Sequence, residues 1–229
     1  MNGLDIAVVI ILILCVLRGY RDGLLMALYS LSSWVIGLLV ARALYPMVSR
    51  FLLYNTVVHQ FFKDYFINTL NLDQVITTQT IRAQTEFIQQ LPLPDFLTQL
   101  LITNNNAEIF RVLNVVSVEE YIGAFLATLT VNIISIICVF LLTRMVLRLL
   151  FDLLRLFEAF PVIKQFNKLG GIILGAGTGI LLIWLLMVVF TFFLLRPETQ
   201  FVWDLMLESR LTLLLFRNNL LMNMISSIL

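Results

Sequence analysis

Three long stretches of the chain contain no charged residue. They cover residues 24–41, 121–143 and 169–195. A helix needs about 17–25 residues to cross the hydrocarbon core of a bilayer, which is about 30 Å thick. Each stretch is therefore predicted to be a transmembrane helix.

A shorter apolar segment precedes these three. Residues 6–17 are uncharged and lie between Asp5 and Arg18, whose charged ends can extend toward the two membrane surfaces. A signal peptide is the alternative, but residues 1–20 lack its basic start and its small-residue cleavage site. We therefore predict an all-α integral membrane protein with four transmembrane helices, in which residues 1–45 form a hairpin of spans 1 and 2.

Basic residues mark the connections within the two predicted pairs of spans. Arg18 and Arg21 oppose only Asp22 in the first connection. The second carries a larger basic excess, with Arg144, Arg148, Arg155, Lys164 and Lys168 against Asp152 and Glu158. Short loops rich in Lys and Arg stay in the cytoplasm. Both termini and residues 46–120 are therefore expected on the outer side.

Amphipathic patterns predict surface helices outside the spans. Residues 50–71 place aromatic and aliphatic side chains opposite His59, Lys63 and Asp64. A second helical stretch, 72–90, should end before Pro92 and Pro94, and a turn should follow at 104–106. Residues 46–120 are thus predicted to form an outer-side helical segment.

The C-terminal residues 196–229 are predicted to form one amphipathic helix. Polar residues alternate there with a leucine-rich side at helical spacing. The polar residues expected to face away from that side are Asp204, Glu208, Asn219 and Asn223.

A basic stripe follows the third predicted span. Arg144, Arg148, Asp152 and Arg155 recur at intervals of four, four and three, which places them on one helical face. This connection within residues 121–195 is either an interfacial helix or a cytoplasmic extension of span three. Each arginine near anionic headgroups contributes about 1 kcal/mol to the free energy of membrane binding. Anchoring to the lipid bilayer is therefore favoured over a protein-docking face.

Glycines form a ridge at the start of the fourth predicted span. Gly171, Gly175 and Gly179 make a doubled G-x-x-x-G pattern, which lets another helix approach closely. The partner is either a helix of the same chain or a second copy in a homo-oligomer. Gly123, with Ala124 and Ala127, is expected to be the complementary face in span three.

Polar residues also occur inside the predicted spans. Asn132 and Ser135 lie in span three and Thr178 in span four. They either form hydrogen bonds between helices or line a polar path for an ion or small solute, and the Thr178 hydroxyl can also bond back to its own helix. The first is favoured because no charged residue lies at mid-depth to serve as a relay. Asp5, at the membrane edge, is interpreted as a helix N-terminal charge.

Composition and charge narrow the function classes further. The chain is 60% hydrophobic and 13% charged, and its net charge of +1 does not supply the basic face that nucleic acids require. His59 is the single histidine, so neither a His-Glu-His zinc site nor an intramembrane Ser-His pair can form. Cys15 and Cys138 lie in apolar runs and are interpreted as small packing residues. No catalytic, cofactor or metal site is predicted.

Three stretches together resemble a known family. They are Asn2-Gly-Leu-Asp5 before an apolar run, Arg18-Gly-Tyr-Arg-Asp-Gly23 as a short turn, and Asn167-Lys-Leu-Gly-Gly171 leading to Gly175 and Gly179. In this order they resemble the colicin V production protein (CvpA) family of bacterial inner-membrane proteins, over residues 1–45 and about 120–195.

The resemblance implies a multi-pass inner-membrane protein linked to production or export of a bacteriocin-type toxin and to envelope homeostasis. It implies export or envelope proteins as partners, no enzymatic activity and no cofactor. The structural positions it suggests are Asp5, Gly19, Gly23, Gly171, Gly175 and Gly179. The alternative function is a small oligomeric channel or transporter, with the glycine face of span four lining or gating a pore.

Overall fold

The regular elements of the described part of the chain are all α-helices. The computed structural model describes residues 2–55, 57–72, 80–155, 164–193 and 200–222. Within these ranges the regular elements are α1 (Gly3–Asn55), α2 (Val58–Thr69), α3 (Ile81–Gln90), α4 (Asp95–Thr103), α5 (Ala107–Leu113), α6 (Val118–Arg155), α7 (Lys164–Phe193), α8 (Gln200–Glu208) and α9 (Arg210–Arg217). The all-α prediction is confirmed.

Three of these helices are long and apolar enough to cross a membrane. The candidate spans are Gly3–Tyr54 in α1, Val118–Asp152 in α6 and Asn167–Thr191 in α7. The first and second predicted spans both lie on α1. This helix is interrupted at Gly23, whose φ of 79° and ψ of 177° are not helical. We call residues 3–22 the N-terminal arm and residues 24–55 the C-terminal arm.

The N-terminal arm runs antiparallel to α7. Its start packs near the end of α7, where Val8 joins Ile183 in one apolar cluster. Its end packs near the start of α7, where Gly19 contacts Gly171.

The C-terminal arm runs parallel to α7. Leu24 contacts Gly170. Further along both helices in the same direction, Leu31 lies beside Gly177. The two arms therefore follow α7 in opposite directions, and α1 folds back on itself at Gly23.

The C-terminal arm is longer than the sequence pattern predicted. It continues through Pro46 to Asn55, so that residues 50–55 belong to α1 and the next helix starts only at Val58. Proline removes one helical hydrogen bond. Ala41 before it and Ser49 after it are buried.

The segment after α2 follows the predicted turns. Leu91 is extended and Pro94 precedes α4, as the proline pair predicted. The Asn106 side chain accepts hydrogen bonds from the amides of Glu108 and Ile109, which caps α5.

A buried tyrosine organises this segment. The Tyr121 hydroxyl donates to the Leu101 carbonyl over 2.7 Å, and its ring stacks on Phe110 with centroids 4.9 Å apart. The hydroxyl of this buried side chain thus has a hydrogen-bond acceptor, and its apolar ring has an aromatic partner.

Helix α6 is continuous through the basic stripe. It runs without a break from Val118 to Arg155. Of the two alternatives for the stripe, the structure therefore has the helical extension of the third predicted span.

Within residues 200–222 the predicted single C-terminal helix is divided, because α8 ends at Glu208 and α9 begins at Arg210. Helices α8 and α9 meet at Ser209, whose side chain caps α9. Asn219 was predicted to face away from the leucine-rich side, and this prediction is wrong because Asn219 is fully buried. Its Nδ2 donates to the Trp184 carbonyl over 3.0 Å. The helical spacing fails here because α9 ends at Arg217; Asn223 lies outside the described residues.

The chain packs as two units. One comprises Met1–Tyr45, Ile136–Phe190 and Asp204–Met224, and the other comprises Pro46–Ser135, Thr191–Trp203 and Ile225–Leu229. In the first unit, Val8, Ile183 and Met187 form a buried cluster against which Leu211 and Leu215 of α9 pack.

Candidate functional site

The glycine ridge of α7 lies directly against the N-terminal arm. The Cα hydrogens of Gly19 and Gly171 each point at the carbonyl oxygen of the other residue. This is the geometry of a reciprocal pair of weak Cα–H···O bonds. A methyl carbon on Gly175 would lie 2.6 Å from the Cys15 carbonyl oxygen. No side chain fits between the two backbones at these positions.

The contact continues one turn further along α7. A methyl carbon on Gly179 would lie 3.1 Å from both the Cys15 Cβ and a terminal carbon of Leu12. Cys15 thus packs as the small residue predicted for it, whereas Cys138, for which the same was predicted, is exposed. We call the contact formed by Gly19, Gly171, Gly175 and Gly179 the glycine seam.

The partner of the ridge lies in the same chain. Of the two alternatives, the structure has the intramolecular contact, and the opposing helix is the N-terminal arm. The predicted complementary face around Gly123 is wrong, because Gly123 packs against Ile67 of α2 instead, at 2.7 Å from a methyl carbon built on it. Small residues occur on several helices, and spacing alone does not reveal which two faces meet.

The turn between the two arms is held from α7. With Gly23 out of the helix, the Leu24 amide donates to Asn167 Oδ1 over 2.5 Å, so Asn167 caps the C-terminal arm. Next to it, Lys168 Nζ donates to the Tyr20 hydroxyl over 3.2 Å. The stretch that starts at Asn167 therefore supplies both a cap and the glycine ridge.

The first turn of α1 contains a capping box. Asn2 Oδ1 accepts from the amides of Leu4 at 3.1 Å and Asp5 at 3.2 Å, and Asp5 Oδ2 accepts from the Asn2 amide at 3.4 Å. This explains the spacing of Asn2 and Asp5 in the N-terminal motif. In this capping box Asp5 uses only Oδ2, so that its second carboxylate oxygen, Oδ1, can accept hydrogen bonds from other donors.

That second oxygen binds the start of α9. Asp5 Oδ1 accepts from the Ser209 hydroxyl and from the amides of Leu211 at 3.3 Å and Thr212 at 3.4 Å. A carboxylate at a helix N-terminus is favoured by the helix dipole. The predicted helix N-terminal charge thus serves two helices.

Asn2 extends the same connection to the end of α8, because its Nδ2 donates to the Leu205 carbonyl. We call Asn2, Asp5 and Ser209 the N-terminal clamp. Asn-x-x-Asp is recognisable in sequence as a capping box, whereas nothing in the sequence pattern indicated the contact with Ser209.

The polar residues predicted inside the spans have partners in the protein. Asn132 Oδ1 accepts from the Ser49 hydroxyl. Ser135 is fully buried and donates to the Val131 carbonyl over 2.7 Å. Thr178 donates back to the Leu174 carbonyl of its own helix over 3.0 Å. Asn132 thus forms the predicted hydrogen bond between helices, whereas Ser135 and Thr178 bond within their own helices. The sequence pattern did not indicate Ser49 as a partner.

His59 of α2 faces α6. Its Nε2 lies 3.3 Å from the Thr128 hydroxyl oxygen. Burial lowers the pKa of His59 below its usual 6.5, and the nearby positive charge of Lys63 acts in the same direction. One turn along, Lys63 pairs with Glu120 over 3.6 Å.

The basic stripe separates into different environments. The guanidinium carbon of Arg144 lies 4.6 Å from the centre of the Trp34 ring. Arg148 is exposed and lies 4.0 Å from the Asp152 carboxylate. The side chain of Arg155 lies outside what the structure describes. Membrane anchoring by these three residues stays a prediction.

No cluster of metal-ligating side chains occurs within the described ranges. The residues described above hold helices together. Glycine contacts, capping side chains and buried hydrogen bonds connect α1 with α7, α8 and α9.

Comparison with models of known protein families gives a match over the N-terminal part of the chain. The model of the colicin V production protein family matches residues 4–85. No curated protein and no solved structure matches the chain significantly.

The matched range includes the clamp residue Asp5 and the turn at Gly23, and it extends through α2, which the motifs did not cover. It ends before residues 120–195, where the likeness of the glycine-rich stretch stays a resemblance. The match and the three membrane-length helices indicate a multi-pass membrane protein. Over residues 4–85 the chain thus matches the colicin V production protein family, which confirms the resemblance of its N-terminal motifs to that family.

Proposed function

We propose that this protein is a non-enzymatic, four-span protein of the bacterial inner membrane that supports production or export of a colicin V-type toxin and envelope homeostasis. The observation that carries the proposal is the family match over residues 4–85, which spans both arms of α1. In this proposal the partners of the protein are export or envelope proteins.

The fold-back at Gly23 supports four spans. The N-terminal arm has 20 residues and is about 30 Å long, and the C-terminal arm is longer. Each arm is therefore long enough to cross the hydrocarbon core by itself. In this topology the Gly23 turn is cytoplasmic, as its arginines require, and both termini lie outside.

A topology experiment tests this arrangement. Single cysteines are placed at Asp22, in the turn, and at Thr80, outside the spans, in a Cys15→Ser, Cys138→Ser background. A membrane-impermeant thiol reagent is added to intact spheroplasts. We expect labelling at position 80 only, with labelling at position 22 after permeabilisation. Labelling of position 22 in sealed cells would contradict the proposed topology.

A complementation experiment tests the function. A colicin V-producing strain that lacks its own family member receives this chain, and the zone of growth inhibition on a sensitive lawn is measured. We expect the wild-type chain and Gly177→Ala to restore the zone, and Gly175→Leu to fail because it disrupts the glycine seam. An inserted, folded wild-type protein that leaves the zone unrestored would overturn the toxin role.

Solute flux through liposomes that contain the purified protein distinguishes the channel alternative from the proposed function. Asn132 bonds to Ser49 and Thr178 bonds within its own helix, so we expect tight liposomes. A flux that disappears in Asn132→Leu while the protein stays folded would favour the channel instead.

A further inference from the structure

Arg144 emerges from α6 in an otherwise apolar stretch. Its neighbours along the helix have side chains that are more than half exposed, namely Leu141, Leu142, Met145 and Val146. Large exposed apolar side chains on a membrane-length helix face lipid. The cationic side chain therefore starts among lipid-facing residues, where an unpaired charge is costly.

A glycine in the C-terminal arm gives Arg144 its path. A methyl carbon on Gly37 would lie 3.0 Å from the Phe140 ring and 3.3 Å from Arg144 Cγ. The guanidinium then reaches Trp34, three residues closer to the Gly23 turn. The side chain thus runs over an aromatic surface toward the end of the helices, as a long basic side chain does when its charge reaches for the membrane surface.

The aromatic contact leaves the donors of Arg144 open. The guanidinium carbon lies 4.6 Å from the centre of the Trp34 ring and 5.8 Å from that of the Phe140 ring, and an aromatic face does not occupy the five N–H donors as a carboxylate would. Across the described ranges no carboxylate forms an ion pair with Arg144, while Arg148 on the next turn has Asp152. The donors of Arg144 are therefore available to an anion from outside the described part of the chain.

A second arginine lies close by. Arg18 of the N-terminal arm lies just before the Gly23 turn, toward which the Arg144 side chain runs over Trp34, and its positive charge acts on the Arg144 guanidinium. The Arg18 side chain is 82% exposed, and its contact at 3.4 Å is with Asp22 on its own helix. Surface pairs of this kind contribute little and are readily replaced. Two guanidinium groups from different helices can therefore converge on one external anion.

We propose that Arg144 and Arg18 form a binding site for the phosphate group of an anionic membrane lipid. Guanidinium groups bind phosphate oxygens in pairs through parallel N–H donors, and basic pockets between transmembrane helices bind anionic headgroups. Trp34 and Phe140 hold the Arg144 guanidinium in position, and Gly37 leaves the space for its stem. The site is independent of any role in toxin production.

Lipid retention by the purified full-length protein tests the site. Native mass spectrometry in detergent compares phosphatidylglycerol, which is anionic, with zwitterionic phosphatidylcholine at equal concentrations, with and without millimolar inorganic phosphate. We expect the wild-type protein to retain phosphatidylglycerol preferentially and inorganic phosphate to leave this unchanged. We expect Arg144→Gln to lower the retention roughly tenfold, as the loss of one charge-assisted hydrogen bond predicts.

Matched variants separate a binding defect from a folding defect. Arg82 is exposed and paired with Glu86 one turn away, as Arg18 is with Asp22, so Arg82→Gln is the control and should retain lipid normally. Arg18→Gln alters only an exposed side chain and carries the test if Arg144→Gln does not fold; we expect it to lower retention severalfold with an unchanged melting temperature. Equal retention by folded Arg18→Gln and wild type, equal retention of both lipids, or displacement by inorganic phosphate would overturn the proposal.

Discussion

The Asp5 carboxylate accepts a hydrogen bond from the hydroxyl of Ser209, which lies 204 residues further along the chain. Both side chains are buried. Asp5 is also part of the capping box of α1, so one carboxylate caps the N-termini of two helices. The chain ends of the first unit are thereby connected, and α9 is held against the core formed by Val8 and Ile183.

Removal of this connection should release α9. We expect Ser209→Ala to lower the free energy of unfolding of the C-terminal helices by about 1 kcal/mol, the typical effect of losing an N-cap. It should also raise hydrogen exchange at Leu211 and Thr212. The control is Asn106→Ala, which removes the cap of α5. Equal protection of α9 in both variants would contradict the clamp.

The glycine seam should reject even a methyl group. We expect Gly171→Ala to destabilise the folded protein by about 1–3 kcal/mol, because the added carbon overlaps the Gly19 carbonyl and the two backbones must separate. Melting in detergent measures the effect. Gly177→Ala is the matched control on the same helix, since its methyl carbon would lie 3.6 Å from Leu31, an ordinary contact. That variant should be neutral or more stable by up to about 1 kcal/mol.

A disulfide can establish that the seam lies within one chain. The Cβ of a residue at Gly179 would lie 3.1 Å from the Cys15 Cβ, a few tenths of an ångström short of the separation in disulfides. We expect oxidation of Gly179→Cys, in a Cys138→Ser background, to give a cross-linked monomer on non-reducing gels. Gly177→Cys should give none. Covalent dimers from Gly179→Cys would instead place the ridge between two copies.

The cap supplied by Asn167 should depend on its acceptor oxygen. We expect Asn167→Leu to lower the melting temperature, because the Leu24 amide loses its partner at a cost of about 1 kcal/mol. Asn167→Asp keeps an oxygen acceptor and adds a charge that the helix N-terminus favours, so it should retain most of the stability. Equal melting temperatures for Asn167→Leu and the wild type would show that the cap contributes nothing.

His59 should make the protein less stable in mild acid. Because burial lowers its pKa in the folded state, the unfolded chain binds a proton on His59 that the folded chain does not. Stability is therefore fully present above the unfolded pKa of 6.5 and falls as the pH drops through 6.5 toward the folded pKa. Hydrogen exchange in α2, compared between about pH 7.5 and 5.5, measures this loss. His59→Gln should remove the dependence, and an unchanged dependence would assign it to another group.

Several features of the fold follow from short-range rules. The uncharged stretches predicted helices that the structure contains as α1, α6 and α7, and Pro92, Pro94 and Asn106 marked helix ends where they occur. Pro46 shows the limit of such rules, because α1 continues through it although proline removes one helical hydrogen bond. Asn219 shows the same limit. The helical spacing that placed it on the polar face does not apply, because α9 ends two residues earlier, at Arg217.

The sequence by itself determined the all-α membrane class, the ridge of Gly171, Gly175 and Gly179, and the N-terminal resemblance that the family match confirmed. These follow from composition and spacing along a single helix, which local geometry governs. Only the tertiary structure decided that the ridge packs on the N-terminal arm, that Asp5 binds Ser209 and that Arg144 lies on Trp34. Each of those contacts joins residues far apart in the chain, and such pairs are chosen by the packing of several helices at once.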